Sequence, residues 1–370
     1  IRFYNEMYIL YQILVNIIRI VYLTEVSRNN YTKMKKMSLN LSGEFKRKNI
    51  LITGGTGSIG MGLAKQLIKY NPKEIRIFSN SENSIFEARE NLGRNPIYKF
   101  MVGDVRDKDR LNLAIRNVDI VYHTAALKHI EICADNPFDA VKTNVVGTSN
   151  ILEASIIEEI EKFVFISTDK ATNPTSTLGG SKLLAERLTL NAGTYARKGK
   201  SKFAVVRFGN VLGSRGSVFQ IFQKQIKMKK PLTVTDKRMT RFIMSLSDAA
   251  SMILNVTKIL NDGEIYILKM PSIRIEDLAK GMLHVYGLRF PDYRNTSSLK
   301  ITKPRGERFH ESLITKEEVP YCHDIGNMYK ISKTENKKQL SSKEFSSETA
   351  SRISQSRLHK TINELIDEYV

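Results

Sequence analysis

Residues 49–60 read NILITGGTGSIG, and this stretch decides the fold of the chain. Its first half is a short apolar run without alternation, which predicts a strand that is buried on both faces of a parallel sheet. A glycine turn follows, and an amphipathic stretch from about residue 58 to residue 70 predicts a helix. Strand, glycine turn and helix in this order predict the first unit of an α/β fold.

The same alternation continues along the chain and predicts a Rossmann-like, doubly wound parallel sheet. The further strands are predicted at residues 75–78, 98–102, 119–123, 163–166 and 203–207. The helices between them are predicted at residues 82–93, 107–116, 137–158 and 178–198. Beyond residue 209 we expect helices at 216–229, 247–260 and 275–286, and a strand at 264–269.

These patterns predict four segments. Residues 1–46 form an N-terminal extension outside the functional fold, and residues 47–210 form an NAD(P)-binding Rossmann domain. Residues 211–330 form a smaller substrate-binding lobe that is interleaved with the Rossmann domain. Residues 331–370 form a loose, Ser- and Lys-rich segment and a C-terminal helix over 358–369.

The first 36 residues differ from the rest of the chain. Their apolar runs are interrupted by Glu6, Gln12, Asn16 and Arg19, so they supply neither a clean membrane span nor a secretory signal. We expect them to be upstream sequence, and a helix lying in a membrane interface is the alternative. The expectation is therefore a cytoplasmic protein without firm membrane association.

The composition limits the classes of function. The formal net charge of the 370 residues is +20, but no nucleic-acid-binding signature accompanies the scattered Lys and Arg residues. A basic surface that attracts an anionic nucleotide is the favoured interpretation, and nucleic acid is not an expected partner. Cys133 and Cys322 are far apart in sequence, which predicts neither a metal site nor a disulfide framework and favours a reducing compartment.

The glycine turn has the context of a dinucleotide site. Gly54 permits the tight turn, Gly57 lets the backbone approach a pyrophosphate, and Gly60 lets the helix pack on the strand. The second strand ends in a neutral tip at Ser79 and Asn80, which favours NADP over NAD and leaves NAD open. The predicted cofactor-binding residues are Gly54, Thr56, Gly57, Ser58, Ile59, Gly60, Ser79, Asn80, Asp104, Val105, Ala125, Ala126, Lys128, Asn144 and Lys182.

An acid and an amine stand together at the end of the fifth predicted strand. Asp169 and Lys170 follow Thr168, and Lys182 lies at the spacing of the catalytic-helix lysine of short-chain dehydrogenases/reductases. Leu178 stands where that superfamily usually carries its tyrosine. The usual proton relay is missing, and the carboxyl–amine pair offers another one.

Six motifs occur in order along the chain. They are HTAALKH at 123–129, KTNVVGT at 142–148, STDKA at 167–171, RFGNVLGSRGSV at 207–218, MTRF at 239–242 and KMPS at 269–272. Together they resemble the inverting UDP-N-acetylglucosamine 4,6-dehydratases, which are extended short-chain dehydrogenases/reductases of the polysaccharide biosynthesis protein family. The resemblance runs from about residue 49 to about residue 329.

The resemblance implies a UDP-sugar substrate, a tightly bound cofactor that is regenerated, and a homo-oligomer. Hydride leaves C4 of the sugar, water is lost across C5 and C6, and the hydride returns to C6. Lys170, with a pKa lowered by burial and a cationic neighbour, is expected to take the C5 proton, and Asp169 to protonate the departing C6 hydroxyl. Thr168 would contact the C4 oxygen, and Lys182 would hold the nicotinamide ribose. Leu178 matches a branch without the tyrosine, in which Asp169 or a water takes the first proton.

The resemblance also implies the substrate-binding residues. In residues 304–307 the family's arginine is displaced by one position, which puts the contact of Arg305 in doubt. Guanidinium groups suit paired phosphate oxygens because their donors are planar and fixed. The predicted substrate-binding residues are Lys128, His129, Asn210, Arg215, Arg241, Arg305 and Glu307.

Two other functions stay open at this point. A nucleotide-sugar 4-epimerase or reductase would need no base for C5. A non-catalytic NADP-binding protein would keep the glycine turn without turnover.

Overall fold

The computed structural model describes residues 41–293, 299–301, 308–335 and 344–369. Its strands are β1 (Asn49–Thr53), β2 (Glu74–Ser79), β3 (Tyr98–Val102), β4 (Ile120–His123), β5 (Lys162–Thr168), β6 (Lys202–Phe208), β7 (Asn210–Val211), β8 (Leu232–Val234), β9 (Thr240–Met244), β10 (Glu264–Leu268), β11 (Ser272–Arg274), β12 (Leu299–Ile301), β13 (Ser312–Ile314), β14 (Cys322–Asp324), β15 (Met328–Ile331) and β16 (Phe345–Ser346).

The α-helices are α1 (Ser42–Phe45), α2 (Ser58–Leu67), α3 (Glu82–Leu92), α4 (Lys108–Ile115), α5 (Ile130–Asp135), α6 (Pro137–Val141), α7 (Gly147–Ile157), α8 (Thr177–Ala192), α9 (Val218–Lys227), α10 (Leu246–Ile259), α11 (Ile275–Arg289) and α12 (Gln355–Tyr369).

The main sheet positions the site. In the described part of the chain it has nine strands in the order β14-β15-β10-β6-β5-β4-β1-β2-β3. The strands from β3 to β10 run parallel, and β15 and β14 add antiparallel partners at one edge. The order reverses between β1 and β4, and ligands of such sheets bind beyond the carboxyl ends of the strands at this point. The predicted doubly wound parallel sheet is confirmed.

The smaller lobe has its own apolar core. Strands β7, β9 and β11 form one small sheet, and β8 with β12 and β13 with β16 form two-stranded pairs. The core is built from α9, α11 and α12, and the buried side chains of α12 are Leu358, Ile362, Leu365 and Ile366. The C-terminal helix is therefore part of this lobe rather than a separate segment. The described residues 344–353, expected to be loose, also pack on the body, since Ser347 is fully buried.

Two predicted helices differ from the structure. The helix expected over 137–158 is α6 and α7 with a π-helical turn, Lys142–Val146, between them. The turn carries Asn144, whose amide is held by backbone groups outside the helix. The helix expected over 178–198 ends at Ala192, because Gly193 lies against the Asp262 carboxylate and a turn follows. The short helix α5 had no distinct periodic signal in the sequence.

The packed body begins earlier than the predicted boundary at residue 46. Phe45 of α1 is fully buried, and its ring lies 5.5 Å from that of Tyr70. The expectations for residues 1–36 lie outside the described residues. Within the described ranges, no helix combines the length and the apolar character that crossing a membrane requires.

Candidate active site

A cleft of about 860 Å³ lies beyond the carboxyl ends of the central strands. The loops after β1 to β5 and the segment from Phe208 to Ser217 line it. This is the size and position of a ligand site in a doubly wound fold.

The glycine turn forms one wall of the cleft. Gly54 has a φ of +65°, and a Cβ there would lie 2.6 Å from the backbone nitrogen of Ala125, so only glycine fits. Helix α2 starts after Gly57, and no side chain caps it. Its first N–H groups are therefore available to an anion, and the positive end of the helix dipole favours a phosphate there. Thr56 donates a hydrogen bond to the hydroxyl of Ser79 across the turn, at 2.9 Å.

The end of β2 meets the loop after β3 at a second polar wall. The Asn80 amide lies 3.4 Å from the Asp104 carboxylate, and both residues line the cleft. Arg106 also lines the cleft, and its guanidinium contacts Asp104 at 2.7 Å and lowers the pKa of that carboxyl. Sequence reasoning missed Arg106, because an arginine two residues after an acid has no distinctive pattern.

Lys182 of α8 lies at the deep end of the cleft. Its ammonium donates to the carbonyl of Ile166 at 2.6 Å and stands 4.0 Å over the Phe165 ring. Burial lowers its pKa to about 7, although the Glu186 carboxylate acts in the opposite direction. The side chain is thus placed by the backbone of β5 and by a ring of the same strand.

Most of the predicted cofactor residues line this one cleft. Gly60 and Asn144 do not, and both support it from behind. A Cβ on Gly60 would lie 2.6 Å from the Cα of Gly55 in the turn. The Asn144 amide accepts from the N–H of Leu127 at 2.8 Å and donates to its carbonyl and to Ser181. It therefore fixes the loop that follows β4.

The carboxyl–amine pair lies at the end of β5. Lys170 donates to Oδ1 of Asp169 at 2.9 Å, and the Thr168 hydroxyl donates to the same oxygen at 2.8 Å. Asp169 is fully buried, and its Oδ2 has no hydrogen-bond partner among the described residues. Thr168 and Lys170 line the cleft, whereas Asp169 is not among its described lining residues. An unpaired buried carboxylate oxygen is costly, and a proton or a ligand donor would satisfy it.

The charge state of Lys170 differs from the expectation. Burial acts to lower the pKa of its amine, but the carboxylates of Asp169 and Glu311 outweigh burial and raise it above the ordinary value. Arg241, a cationic neighbour, acts weakly in the lowering direction. The expectation of a lowered pKa was wrong for the protein without ligand, because two acids face this lysine.

Glu311 was missed by the sequence analysis. It precedes β13, is 4% exposed, and its Oε1 lies 3.8 Å from the Lys170 amine and 3.8 Å from Nε of Arg241. Burial raises the pKa of this carboxyl, while Lys170, Arg241 and Arg308 oppose the shift. More than a hundred residues separate it from Asp169, so no local pattern could reveal it.

Leu178 lines the cleft and belongs to a small apolar cluster. It is 3% exposed and packs with Cys133 and Ala140, and Leu127 and Ile130 cover the cluster. The position of the usual tyrosine is therefore filled by packing and carries no proton donor.

A buried ion network holds the end of β5 from the other side. The Ser167 hydroxyl donates to Glu186 at 2.5 Å, and Arg207 of β6 contacts Glu186 at 2.7 Å. Arg207 also contacts Glu318 at 2.9 Å and is 1% exposed. The network links β5, β6, α8 and the loop after β13. It had no predicted role in the sequence analysis.

The predicted substrate residues fall into three groups. Lys128, His129, Asn210 and Arg215 line the cleft, whereas Arg241 is buried and is not among its described lining residues. Oδ1 of Asn210 is buried without a partner among the described residues, and so offers an acceptor to a ligand. Residues 304–307, with the predicted contacts at positions 305 and 307, lie outside the described residues.

Arg215 lies nearer the cofactor turn than expected. Its guanidinium donates to the carbonyl of Thr56, and its N–H donates to the Ser58 hydroxyl at 3.1 Å. Lys128 in turn donates to the Arg215 carbonyl at 2.5 Å. Burial, with a smaller contribution from Arg215, lowers the pKa of Lys128. These two cations lie beside the start of α2, where a phosphate would also be attracted.

Curated relatives match most of the chain. An uncharacterized membrane protein of Methanocaldococcus jannaschii is 47% identical over 80% of this chain and 89% of its own length. The inverting UDP-N-acetylglucosamine 4,6-dehydratase of Campylobacter jejuni is 40% identical over 78% of this chain and 84% of its own. A UDP-glucose 4-epimerase of Rickettsia bellii is 39% identical over 78% and 83%.

A solved structure and a family model also match most of the chain. The X-ray structure of Pen from Bacillus thuringiensis is 37% identical, with a TM-score of 0.81 over 86% of this chain and 98% of that chain. Residues 50–333 match the model of a family described as polysaccharide biosynthesis protein. The chain therefore belongs to the polysaccharide biosynthesis protein family, and its named relatives include nucleotide-sugar dehydratases and epimerases.

Proposed function

We propose that this protein is a nucleotide-sugar 4,6-dehydratase. It converts UDP-N-acetylglucosamine to a UDP-4-keto-6-deoxy-N-acetylhexosamine with inversion at C5, for surface polysaccharide or glycan biosynthesis. The observation that carries the proposal is the Asp169–Lys170 pair at 2.9 Å beside the cleft that contains Lys182. Removal of a C5 proton and loss of a C6 hydroxyl need one base and one acid, and this pair supplies both groups.

The residues of the cleft fit a bound NADP. The tight turn at Gly54, where no Cβ would fit, and the start of α2, which no side chain caps, suit a pyrophosphate. The end of β2 at Ser79 and Asn80 is neutral and does not repel a 2′-phosphate. The small side chains of Ala125 and Ala126 leave room for the ribose and the nicotinamide ring. A bound nicotinamide cofactor supplies a hydride acceptor that gives the hydride back in the same cycle. Lys182 would hold its ribose.

Asp169 is the group we assign to the first proton. With Leu178 in place of a tyrosine, the Asp169 carboxylate takes the proton of the C4 hydroxyl, and Thr168 positions the C4 oxygen. The proton neutralises the charge that does most to raise the pKa of Lys170. Lys170 then releases its proton to solvent more readily. Proton transfer to Asp169 therefore promotes deprotonation of Lys170, which the removal of the C5 proton requires.

The second half of the cycle returns each group to its starting state. The Lys170 amine takes the C5 proton, and Asp169 gives its proton to the C6 hydroxyl, which leaves as water. Asp169 is then a carboxylate again and Lys170 an ammonium. A solvent proton is added at C5 of the product. The protons taken from O4 and C5 therefore equal those given to O6 and C5.

A 4-epimerase is the second candidate, since relatives with that name match the chain. An epimerase oxidises C4 and returns hydride to the same carbon, so neither an acid nor a base for C5 and C6 is needed. The buried Asp169 beside Lys170 favours the dehydratase. The third reading is a non-catalytic NADP-binding protein.

In the test, the purified protein is incubated with UDP-N-acetylglucosamine in deuterated water without added cofactor. The products are identified by NMR. A 4-keto-6-deoxy product with deuterium at C5 supports the dehydratase, and the configuration at C5 decides inversion. UDP-N-acetylgalactosamine as the sole product supports the epimerase. No turnover of any UDP-sugar by a protein that still contains nucleotide supports the binding protein.

A further inference from the structure

Glu311 is a buried acid that the mechanism above does not use. Its backbone is fixed on both sides by Ser347 in the C-terminal segment. The Glu311 N–H donates to the Ser347 hydroxyl at 2.9 Å, and the Ser347 N–H donates to the Glu311 carbonyl at 2.7 Å. Ser347 is also joined to the Thr240 hydroxyl at 2.8 Å, so the smaller lobe holds this acid in place.

The carboxylate of Glu311 faces the charged groups of the site. Lys170 of the β5 end and Arg241 of β9 each lie 3.8 Å from its Oε1. Asp169 and Arg308 are the other charged groups that act on it. Lys170 thus has two acids around it, one adjacent in sequence and one from the other lobe.

We propose that Glu311 is a positioning residue, which holds the Lys170 ammonium and the Arg241 guanidinium and so sets the pH range in which Lys170 carries its charge. The proposal rests on the proposed role of Lys170 as the C5 base. The contacts of the Glu311 carboxylate that define this role are those with Lys170 and Arg241, so it acts through Lys170.

The sign of the effect follows from Coulomb's law. A negative charge close to an amine stabilises the ammonium and raises its pKa. The Asp169 and Glu311 carboxylates raise the pKa of Lys170 in this way. Removal of that charge makes the neutral amine easier to form. Even with the dielectric constant of water, a unit charge at this separation shifts the pKa by about one pH unit, and the lower dielectric of a partly buried site makes the shift larger.

The experiment measures the charge of Lys170 without turnover. The protein as purified, with its bound nucleotide, is acetylated briefly with acetic anhydride at a series of pH values, and mass spectrometry gives the extent of modification at Lys170. The variant is Glu311→Gln, and Glu311→Asp serves as a second variant that keeps the charge. The control is Glu264→Gln, which neutralises another buried glutamate, paired with Lys330 at 2.8 Å on the main sheet.

We expect the Lys170 midpoint to fall by at least about one pH unit in Glu311→Gln, by less in Glu311→Asp, and not at all in Glu264→Gln. In the dehydration assay, the limb of the pH profile of kcat/KM that reports the charge of Lys170 should move to lower pH. An unchanged midpoint in Glu311→Gln, or a fall in Glu311→Asp as large as that in Glu311→Gln, with the nucleotide still bound, would overturn the proposal. Should the protein turn over no UDP-sugar while the midpoint still falls, the proposed function fails and the role of Glu311 stands.

Discussion

At the scale of single residues, the charge on Lys170 is held by its neighbours. The 2.9 Å contact with Asp169 and the 3.8 Å approach of Glu311 keep the amine protonated in the protein without substrate. A base that starts protonated needs an event that releases it. Proton transfer from the substrate to Asp169 is such an event, because it removes the largest attraction on the ammonium.

Replacement of the base tests this assignment. We predict that Lys170→Ala lowers dehydration by at least about a thousandfold, because general-base catalysis contributes factors of this order. The nucleotide content should stay at the wild-type level, since the glycine turn and Lys182 are untouched. Turnover is measured by NMR and nucleotide by absorbance of the acid-released cofactor. Normal turnover in this variant would refute Lys170 as the base.

Leu178 gives a second prediction at the same scale. Leu178→Met keeps the apolar character and volume of the cluster with Cys133 and Ala140. The free energy of unfolding should therefore fall by less than about 1.5 kcal/mol, and dehydration should stay within about threefold of wild type. Urea unfolding and the NMR assay measure the two quantities. A hundredfold loss of turnover in a stable Leu178→Met protein would show that Leu178 has a catalytic requirement that packing does not explain.

At the scale of elements, His123 joins the strands to the helix layer. The ring at the end of β4 is fully buried and hydrogen-bonded to the Thr53 hydroxyl of β1 at 2.6 Å and the Thr148 hydroxyl of α7 at 2.9 Å. Burial, with a smaller contribution from Lys182, lowers the pKa of His123 to about 3. The ring is therefore neutral in the folded protein over the whole physiological range.

The lowered pKa predicts an acid-sensitive fold. An unfolded histidine binds its proton near pH 6.5, so between pH 6.5 and 3 the unfolded state binds more protons than the folded state. This stabilising contribution is complete above pH 6.5 and is lost as the pH falls. The loss from this one group approaches about 1.4 kcal/mol per pH unit. The free energy of unfolding of wild type and His123→Gln is measured by urea unfolding between pH 7.5 and 4.5. It should fall less steeply with falling pH in the variant, and equal slopes of free energy against pH would contradict the prediction.

The elements of the main sheet could be predicted from the sequence because their signals are local. Apolar runs such as residues 49–53 and 98–102 are found at the predicted positions. The π-helical turn at Lys142–Val146 could not be predicted, since it depends on Asn144 bonding to Leu127 in another loop. The packing of residues 344–353 was missed for a similar reason, because Ser347 is buried by partners distant in sequence.

The candidate site was predictable to a similar extent. The residues of the glycine turn are consecutive in sequence, and so are Asp169 and Lys170, so each of these two groups could be expected. Glu311 and the raised pKa of Lys170 arise from chain segments brought together only by the fold. Arg241 was expected at a diphosphate, and the structure instead buries it beside Glu311.

At the scale of the whole molecule, the site is shared between the Rossmann sheet and the smaller lobe. The sheet supplies the cofactor turn, Asp169 and Lys170, and the lobe supplies Glu311 and Arg241. Strands β10, β14 and β15 follow the first strands of the lobe in sequence, but they belong to the main sheet. The net charge of +20 gives the molecule a field that attracts anionic ligands, such as the proposed UDP-sugar and cofactor.

The proposed dehydration moves one hydride from C4 to C6 of the same sugar. It is tested most directly with UDP-N-acetylglucosamine that carries deuterium at C4, incubated with the protein in ordinary water without added cofactor. Deuterium NMR of the product should find the label in the C6 methyl group of a 4-keto-6-deoxy sugar. Deuterium retained at C4 of UDP-N-acetylgalactosamine, the C4 epimer with its C6 hydroxyl intact, would contradict this hydride transfer.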